Sequence, residues 1–280
     1  METSLLQGIL REFEFYRIFY YFESCITISH IFCALVHCNI KILDAQKLPI
    51  AEFNNCMGTE KLQNIQFWWP YLMNPTVAYM YTMDIMVHGP SGFDAFSLPF
   101  GIRRIEWNAS SLLVNGQPFY FRGFGKHEDS DLRGKGLDWP LITRDFQLIK
   151  WIGANSFRTS HYPYAEEIMD MADKEGIMVI NECPGVNLHT FDPDLLLRHE
   201  QVMKALIARD KNRPSVIAWS IANEPVSNVD AAKPYFQAVA DLARSLDPQH
   251  RPITAALSRS VEGDKAAEAL DIVAINRYFG

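Results

Sequence analysis

Asn223-Glu224-Pro225 sets an amide, a carboxylate and a chain-turning proline in consecutive positions. The tripeptide closes the run Val216-Ile217-Ala218-Trp219-Ser220-Ile221-Ala222. That run is short, apolar and partly β-branched, so it reads as a buried strand. Pro225 cannot continue a ladder and fixes the turn just after the glutamate. A carboxylate delivered in this way can pass a proton to or from a reacting bond, and the neighbouring amide can hydrogen-bond a substrate hydroxyl. A helix N-cap or a loop-end ion pair would use the same residues, and it is the favoured reading of the tripeptide in isolation. Other polar residues end strand-like runs nearby. His161 follows one and precedes Tyr162-Pro163, Glu182 ends another beside Asn181, and His127 stands in a loop with Glu128 and Asp129. Asn276 and Tyr278 alternate, so both point to one face of their strand. Each has a bland counterpart: a core histidine satisfied by backbone, a loop salt-bridge network around His127, or packing at a strand end.

These residues need elements that bring strand ends together. Strand patterns fall at 119–124, 155–160, 177–181, 216–222, 253–257 and 271–275. Helical patterns fall between them at 145–151, at 165–175 ending on Gly176, at 194–210, and at 232–246 ending on Asp247-Pro248. Repeated β-α units predict an α/β fold with a parallel sheet, and six in a row fit a partial (β/α)8 barrel, strands 1–6, better than an open sheet. No glycine-rich phosphate loop follows the first strand, which weighs against a doubly wound dinucleotide fold. In a barrel, catalytic residues gather at the C-terminal strand ends, where Glu224 lies.

The barrel is expected to occupy residues 106–280. Residues 58–105 read as β, with strands at 65–68 and 78–87 and with 96–100 leading into a linker. Too few strands are present for a complete sandwich, so this segment reads as the C-terminal part of one. Residues 1–57 are aromatic and cysteine-rich without a clear period and receive no assignment.

The chain has 280 residues, 48% of them hydrophobic, and a formal net charge of −7 without a basic run. Nucleic acid and an anionic membrane are therefore poor partners. No C-x-x-C pair occurs among the five cysteines, and the His30, Cys33, His37, Cys38 spacing fits no standard metal site. The stretch 24–40 is shorter than the roughly 20 apolar residues of a spanning helix. Glu12 and Glu14 stand where a signal peptide would be basic.

Longer blocks carry a resemblance. Phe67-Trp68-Trp69-Pro70-Tyr71-Leu72-Met73, the run from His127 to Gly136, Phe157-Arg158-Thr159-Ser160-His161-Tyr162-Pro163-Tyr164-Ala165-Glu166-Glu167, Trp219 to Pro225 and Asn276-Arg277-Tyr278-Phe279-Gly280 are similar to blocks of the β-glucuronidases of glycoside hydrolase family 2. Related β-galactosidases share the Ser-His-Tyr-Pro and Asn-Glu features. Tyr164-Ala165-Glu166-Glu167 and Arg133-Gly134-Lys135-Gly136 point to glucuronidase.

The resemblance implies an immunoglobulin-like sandwich followed by a catalytic TIM barrel, a retaining mechanism on a β-glucuronide substrate, no cofactor and no metal. Full-length relatives are homo-oligomers. It implies Glu224 as general acid/base, Asn223 as the partner of the sugar 2-hydroxyl, and His161, His127, Asn276 and Tyr278 as substrate-binding residues. The family nucleophile is a glutamate in a Ser/Thr-Glu-Tyr-Gly motif on strand 7, and that motif does not occur in these residues. The 280 residues alone are therefore expected to show no turnover. Two alternatives stand beside this reading: another family 2 hydrolase, such as a β-galactosidase or β-mannosidase, and a non-catalytic truncated product.

Overall fold

A computed structural model describes residues 18–21, 25–28, 37–56, 58–89, 92–258 and 263–277. The chain divides into two compact units. One comprises residues 1–67 and 79–102, and the other comprises 68–78 and 103–280.

The first unit is antiparallel. Its strands are β1 (Ile18–Tyr21), β2 (Cys25–Ile28), β3 (His37–Leu43), β4 (Pro49–Phe53), β5 (Gly58–Lys61), β6 (Tyr81–Gly89) and β7 (Gly92–Phe100). They form a three-stranded sheet in the order β1-β2-β5 and a four-stranded sheet in the order β4-β3-β6-β7. In β3, Cys38, Ile40 and Ile42 point inward and alternate with Asn39 and Lys41. Their side chains pack with Met83, Ile85 and Phe100. A disulfide joins Cys38 to Cys56, beyond the end of β4.

These contacts move the boundaries read from the sequence. The sandwich does not open at residue 58, because β3 pairs with β6 from His37↔His88 to Leu43↔Thr82. A single alternating strand carries too little signal until its partner, some forty residues on, is beside it. Residues 96–100 belong to β7 rather than to a linker. Residues 65–68 form no strand. Trp68 is instead buried in the second unit, where its Nε1–H donates to Asp173 O at 2.8 Å.

In the second unit, β8 (Ile105–Trp107), β9 (Leu112–Val114) and β10 (Gln117–Pro118) form a small antiparallel sheet. The alternating part follows as β11 (Gly123–Lys126), α1 (Trp139–Trp151), β12 (Ser156–Thr159), α2 (Glu166–Glu175), β13 (Met178–Glu182), α3 (Pro193–Asp210), β14 (Val216–Asn223), α4 (Ala232–Leu246), β15 (Ile253–Leu257) and β16 (Ile272–Ile275). β11 to β16 lie side by side in chain order, all parallel. The fold is thus α/β, a partial (β/α)8 TIM barrel of six consecutive strands preceded by the antiparallel sheets of a partial β-sandwich.

The first barrel strand is shorter and later than 119–124, because Phe119 is tied to the small sheet, its N–H donating to Leu112 O at 2.8 Å. Helix α1 begins before the expected position. Asp138 caps it by accepting from Leu141 N–H at 3.1 Å, and Pro140 occupies its first turn. Helix α2 ends on Gly176 at φ 72°, and a Cβ there would run into Val77. That close approach lets Gly176 O accept from Tyr71 N–H at 2.8 Å, which docks the 68–78 segment.

β14 is the axis of this arrangement, since all eight of its residues are buried. Each large apolar side chain removed from water there stabilises the fold by about 1.5–3 kcal/mol. The strand is flanked by β13 and β15, so its C-terminal end is held on both sides.

Candidate active site

Neighbouring parallel strands place their C-terminal residues in one row. The register Glu182↔Ser220 sets polar residues of β13 and β14 beside one another, and Arg158↔Ile180 leaves Arg158 of β12 two residues short of Glu182, within reach of its carboxylate. The β14–β15 register becomes irregular between Ser220 and Asn223, at the C-terminal end of β14. Glu224 follows with φ 48°, a left-handed conformation that costs a non-glycine residue roughly 1–2 kcal/mol. The backbone around it is pinned. Glu224 N–H donates to Ala256 O at 2.7 Å, and Asn223 N–H donates to Gly185 O at 2.9 Å. Strain of this kind persists only where the surroundings over-determine it, and here it aims a carboxylate.

Asn276, just past β16, donates from Nδ2 to Glu224 Oε1 at 2.7 Å and to Asn223 Oδ1 at 3.1 Å. Arg158 Nη2 donates to the same Asn223 oxygen at 3.2 Å. A guanidinium has no acceptor, so the Asn223 amide presents its oxygen to Arg158 and Asn276 and keeps its NH2 group for another partner. Glu224 Oε2 has no protein partner among the described residues.

His161 lies across Arg158 from this pair, after a cis Ser160–His161 peptide. Its Nδ1 is 2.9 Å from Glu182 Oε1, and Glu182 Oε2 is 3.3 Å from Arg158 Nε. Burial pushes the Glu182 carboxyl above the usual carboxylate range, against the opposing pull of Arg158, of Ser220 Oγ–H and of His161. The His127 ring stands edge-on to His161 with centroids 5.4 Å apart. His127, Arg158, His161 and Asn276 all line a cleft of about 520 Å³.

The structure therefore brings Asn223, Glu224, Asn276, His161 and His127 to one end of the sheet. Tyr278 lies outside the described residues. The loop around His127 is built differently from the acidic network considered for it. Glu128 Oε2 accepts from Ala165 N–H at 3.0 Å at the start of α2, and Lys126 is paired with Asp145 at 2.7 Å. Arg158 shares a strand face with Ser160, a placement that suits an anchor for an acidic cluster at the barrel mouth or a structural ion pair. It pairs with Glu182, while its contact with Asn223 has no signal in the sequence.

The family sequence profile described as Glycosyl hydrolases family 2, TIM barrel domain, matches residues 105–280. The chain belongs to glycosyl hydrolase family 2. Its similarity to named members extends over most of its length. It is 44% identical to the β-glucuronidase of Homo sapiens over 247 residues, 86% of this chain and 38% of that protein. It is 43% identical to the β-glucuronidase of Rattus norvegicus over 243 residues, 85% of this chain and 37% of that protein. Among solved structures, the β-D-glucuronidase of Dictyoglomus thermophilum matches with a TM-score of 0.84 at 40% identity, covering 91% of this chain and 45% of that one. A β-glucuronidase from Ruminococcus gnavus in complex with D-glucuronic acid matches with a TM-score of 0.84 at 37% identity, covering 91% of this chain and 44% of that one. This family 2 chain thus spans less than half the length of these relatives.

Behind Glu182 a second polar chain holds β13 to the helices. Cys183 Sγ–H donates to Ile221 O at 3.0 Å, His199 Nε2 is 3.1 Å from that sulfur, and His199 Nδ1 is 2.9 Å from Tyr235 Oη. Burial pushes the thiol up to about 12 and the imidazole down to about 4, so both are neutral at pH 7. The sign of the resulting pH dependence follows. An unfolded histidine binds a proton near pH 6.5, whereas the folded one does not until about 4. Stability is expected to fall as pH drops from about 6.5 to 4, by about 3 kcal/mol from this group. Urea unfolding at a series of pH values checks it. His199→Gln should flatten that part of the curve, and an unchanged slope would contradict this assignment.

Proposed function

We propose that this protein is a retaining glycoside hydrolase that removes terminal β-D-glucuronic acid from glucuronides or from the ends of glycosaminoglycans, with Glu224 as its general acid/base. The observation that carries this reading is the division of labour at Glu224. Asn276 occupies Oε1, and Oε2, which has no protein partner among the described residues, is left to exchange a proton. In the first step Oε2–H protonates the glycosidic oxygen as the bond to the sugar breaks, while a second carboxylate attacks the anomeric carbon. In the second step Glu224, now ionised, takes a proton from the water that releases the sugar. The NH2 group of Asn223, whose oxygen is taken by Arg158 and Asn276, meets the 2-hydroxyl, a contact that strengthens as the transition state forms. His161 and His127 bind other hydroxyls from the facing wall.

Glu182 is not the second carboxylate. Its oxygens are taken up by Arg158, His161 and Ser220 inside the wall. That role falls to the glutamate of the family motif on strand 7, which these residues do not include. The support for glucuronate over other sugars is the similarity to proteins named β-glucuronidase and to one solved with D-glucuronic acid.

The test uses the full-length product of the transcript with aryl β-glucuronide, β-galactoside and β-mannoside. The glucuronide should have the highest kcat/KM by at least about 10²-fold, as befits a site that pairs polar substrate groups. A preference for the galactoside or mannoside would overturn the assignment of substrate while leaving the role of Glu224 in place.

A further inference from the structure

Glu182 ends β13 with its side chain fully buried, between the His161 and Asn223 sides of the cleft wall. Proton transfer at Glu224 makes no use of it. The groups that face it come from both adjacent strands. From β12, Arg158 Nε lies 3.3 Å from Oε2, and Thr159 Oγ1 accepts from the Glu182 N–H at 2.8 Å. From the loop after β12, His161 Nδ1 lies 2.9 Å from Oε1. From β14, Ser220 Oγ–H donates to Oε2 at 2.7 Å.

Arg158 Nε and Ser220 Oγ–H both donate to Glu182, which holds it as an acceptor, so the proton of the 2.9 Å contact sits on His161 Nδ1, and Arg158 Nη2, 3.4 Å from the same nitrogen, is too far to compete for it. In the neutral ring Nε2 then carries a bare lone pair, and among the described residues it has no protein partner. The same carboxylate anchors the guanidinium whose Nη2 orients the Asn223 amide. On the glycosidase reading above, we propose that Glu182 is a positioning residue for glycoside cleavage. It holds His161 as the Nδ1–H tautomer, presenting Nε2 as an acceptor for a sugar hydroxyl, and through Arg158 it turns the Asn223 NH2 group toward the sugar.

A purely structural ion pair would leave the imidazole tautomer indifferent, and Glu182→Gln separates the two roles. Arg158 Nε and Ser220 Oγ–H both point at Oε2, and Arg158 cannot become an acceptor. The amide oxygen of the glutamine therefore takes the place of Oε2, and its NH2 group faces His161 Nδ1. That nitrogen has to turn acceptor, the ring shifts to Nε2–H, and the sugar meets a donor where it had an acceptor.

Histidine-selective 15N NMR on the chain, above the pH of imidazole titration, reads this directly, with the His161 signals assigned by their loss in His161→Gln. Wild type should show a protonated Nδ1 and a bare Nε2, and Glu182→Gln should show the reverse. In the full-length product of the transcript, Glu182→Gln should lower kcat about 10²-fold with little change in KM, as a misplaced reacting geometry does. An Nε2–H tautomer in wild type overturns the proposal without recourse to a variant, and so it decides the matter even where the glutamine protein does not fold. The same tautomer in both proteins, or an unchanged kcat, overturns it as well. Absence of glucuronide turnover in wild type would count against the glycosidase reading alone, since the tautomer is read without substrate and still decides the role of Glu182.

Discussion

Glu224→Gln in the full-length product of the transcript is expected to slow hydrolysis of an alkyl β-glucuronide by about 10²–10⁴-fold, the usual contribution of general acid–base catalysis. An activated nitrophenyl glucuronide should be slowed far less. A glutamine can still accept from Asn276 Nδ2 through its carbonyl, as Glu224 does at 2.7 Å, so the local geometry survives. Its NH2 group then takes the place of Oε2 and has no proton to give the departing oxygen. An alkoxide leaves poorly without that proton, whereas a nitrophenolate leaves without help. Rates against a series of leaving groups check this as a steepened dependence on leaving-group pKa. An equal loss on every substrate would mean that Glu224 is the nucleophile or a structural residue.

The largest expected effect on stability lies behind the same strand. Trp219 of β14 donates from Nε1 to Asp247 Oδ2 at 3.0 Å, and Asp247 is paired with Arg251 at 2.7 Å, with neither charged side chain exposed. The Arg251 guanidinium also stacks over the Trp219 ring, 4.6 Å from its centroid. Burial pushes the Asp247 carboxyl up, but the charge and hydrogen bonds of Arg251 and the Trp219 N–H outweigh it and hold the group at about 2. Arg251→Met leaves that carboxylate buried and unpaired, which costs about 3–5 kcal/mol. The sign with pH follows from the lowered pKa. The stabilisation is present above the unfolded value of about 3.9 and is lost as pH falls through about 2, so the deficit of the variant should close over that window. Urea unfolding checks both points. Arg251→Met combined with Asp247→Leu should recover much of the loss, because an apolar pair removes the stranded charge. A loss in the single variant that persists unchanged at pH 2 would contradict this picture.

Much of the barrel was legible because its signals are local. The apolar runs of β14 and β15 and the amphipathic face of α4 announce themselves over a few residues, and Gly176 and Asp247-Pro248 mark where helices stop. The beginnings were harder. The start of α1 rests on Asp138 and Pro140 rather than on an apolar period, so periodicity alone places the helix start six residues late, at Asp145. Trp68 looks like a strand residue but serves as a plug, hydrogen-bonded to Asp173, a partner that is distant in sequence. β3 escaped notice for the related reason that Cys38, Ile40 and Ile42 acquire meaning only once β6 lies alongside. The same division runs through the site. Asn223 and Glu224 are adjacent, and their chemistry can be read from the strand that delivers them. Arg158, Glu182 and His161 meet only through the register of β12 against β13, and their joint hold on Asn223 follows from three-dimensional placement.

The claim that Glu224 is the acid/base of a retaining enzyme is tested most directly by Glu224→Ala in the presence of azide, with an activated aryl glucuronide as substrate. Removing the side chain opens space next to Asn223 and abolishes base assistance to water. A small anion that needs no base should then intercept the glycosyl-enzyme and restore turnover. Two inversions give net retention, so the product should be the β-glucuronyl azide, identified by the anomeric coupling in its proton NMR spectrum. An α-azide, or restored turnover without any azide adduct, would contradict the assignment of Glu224.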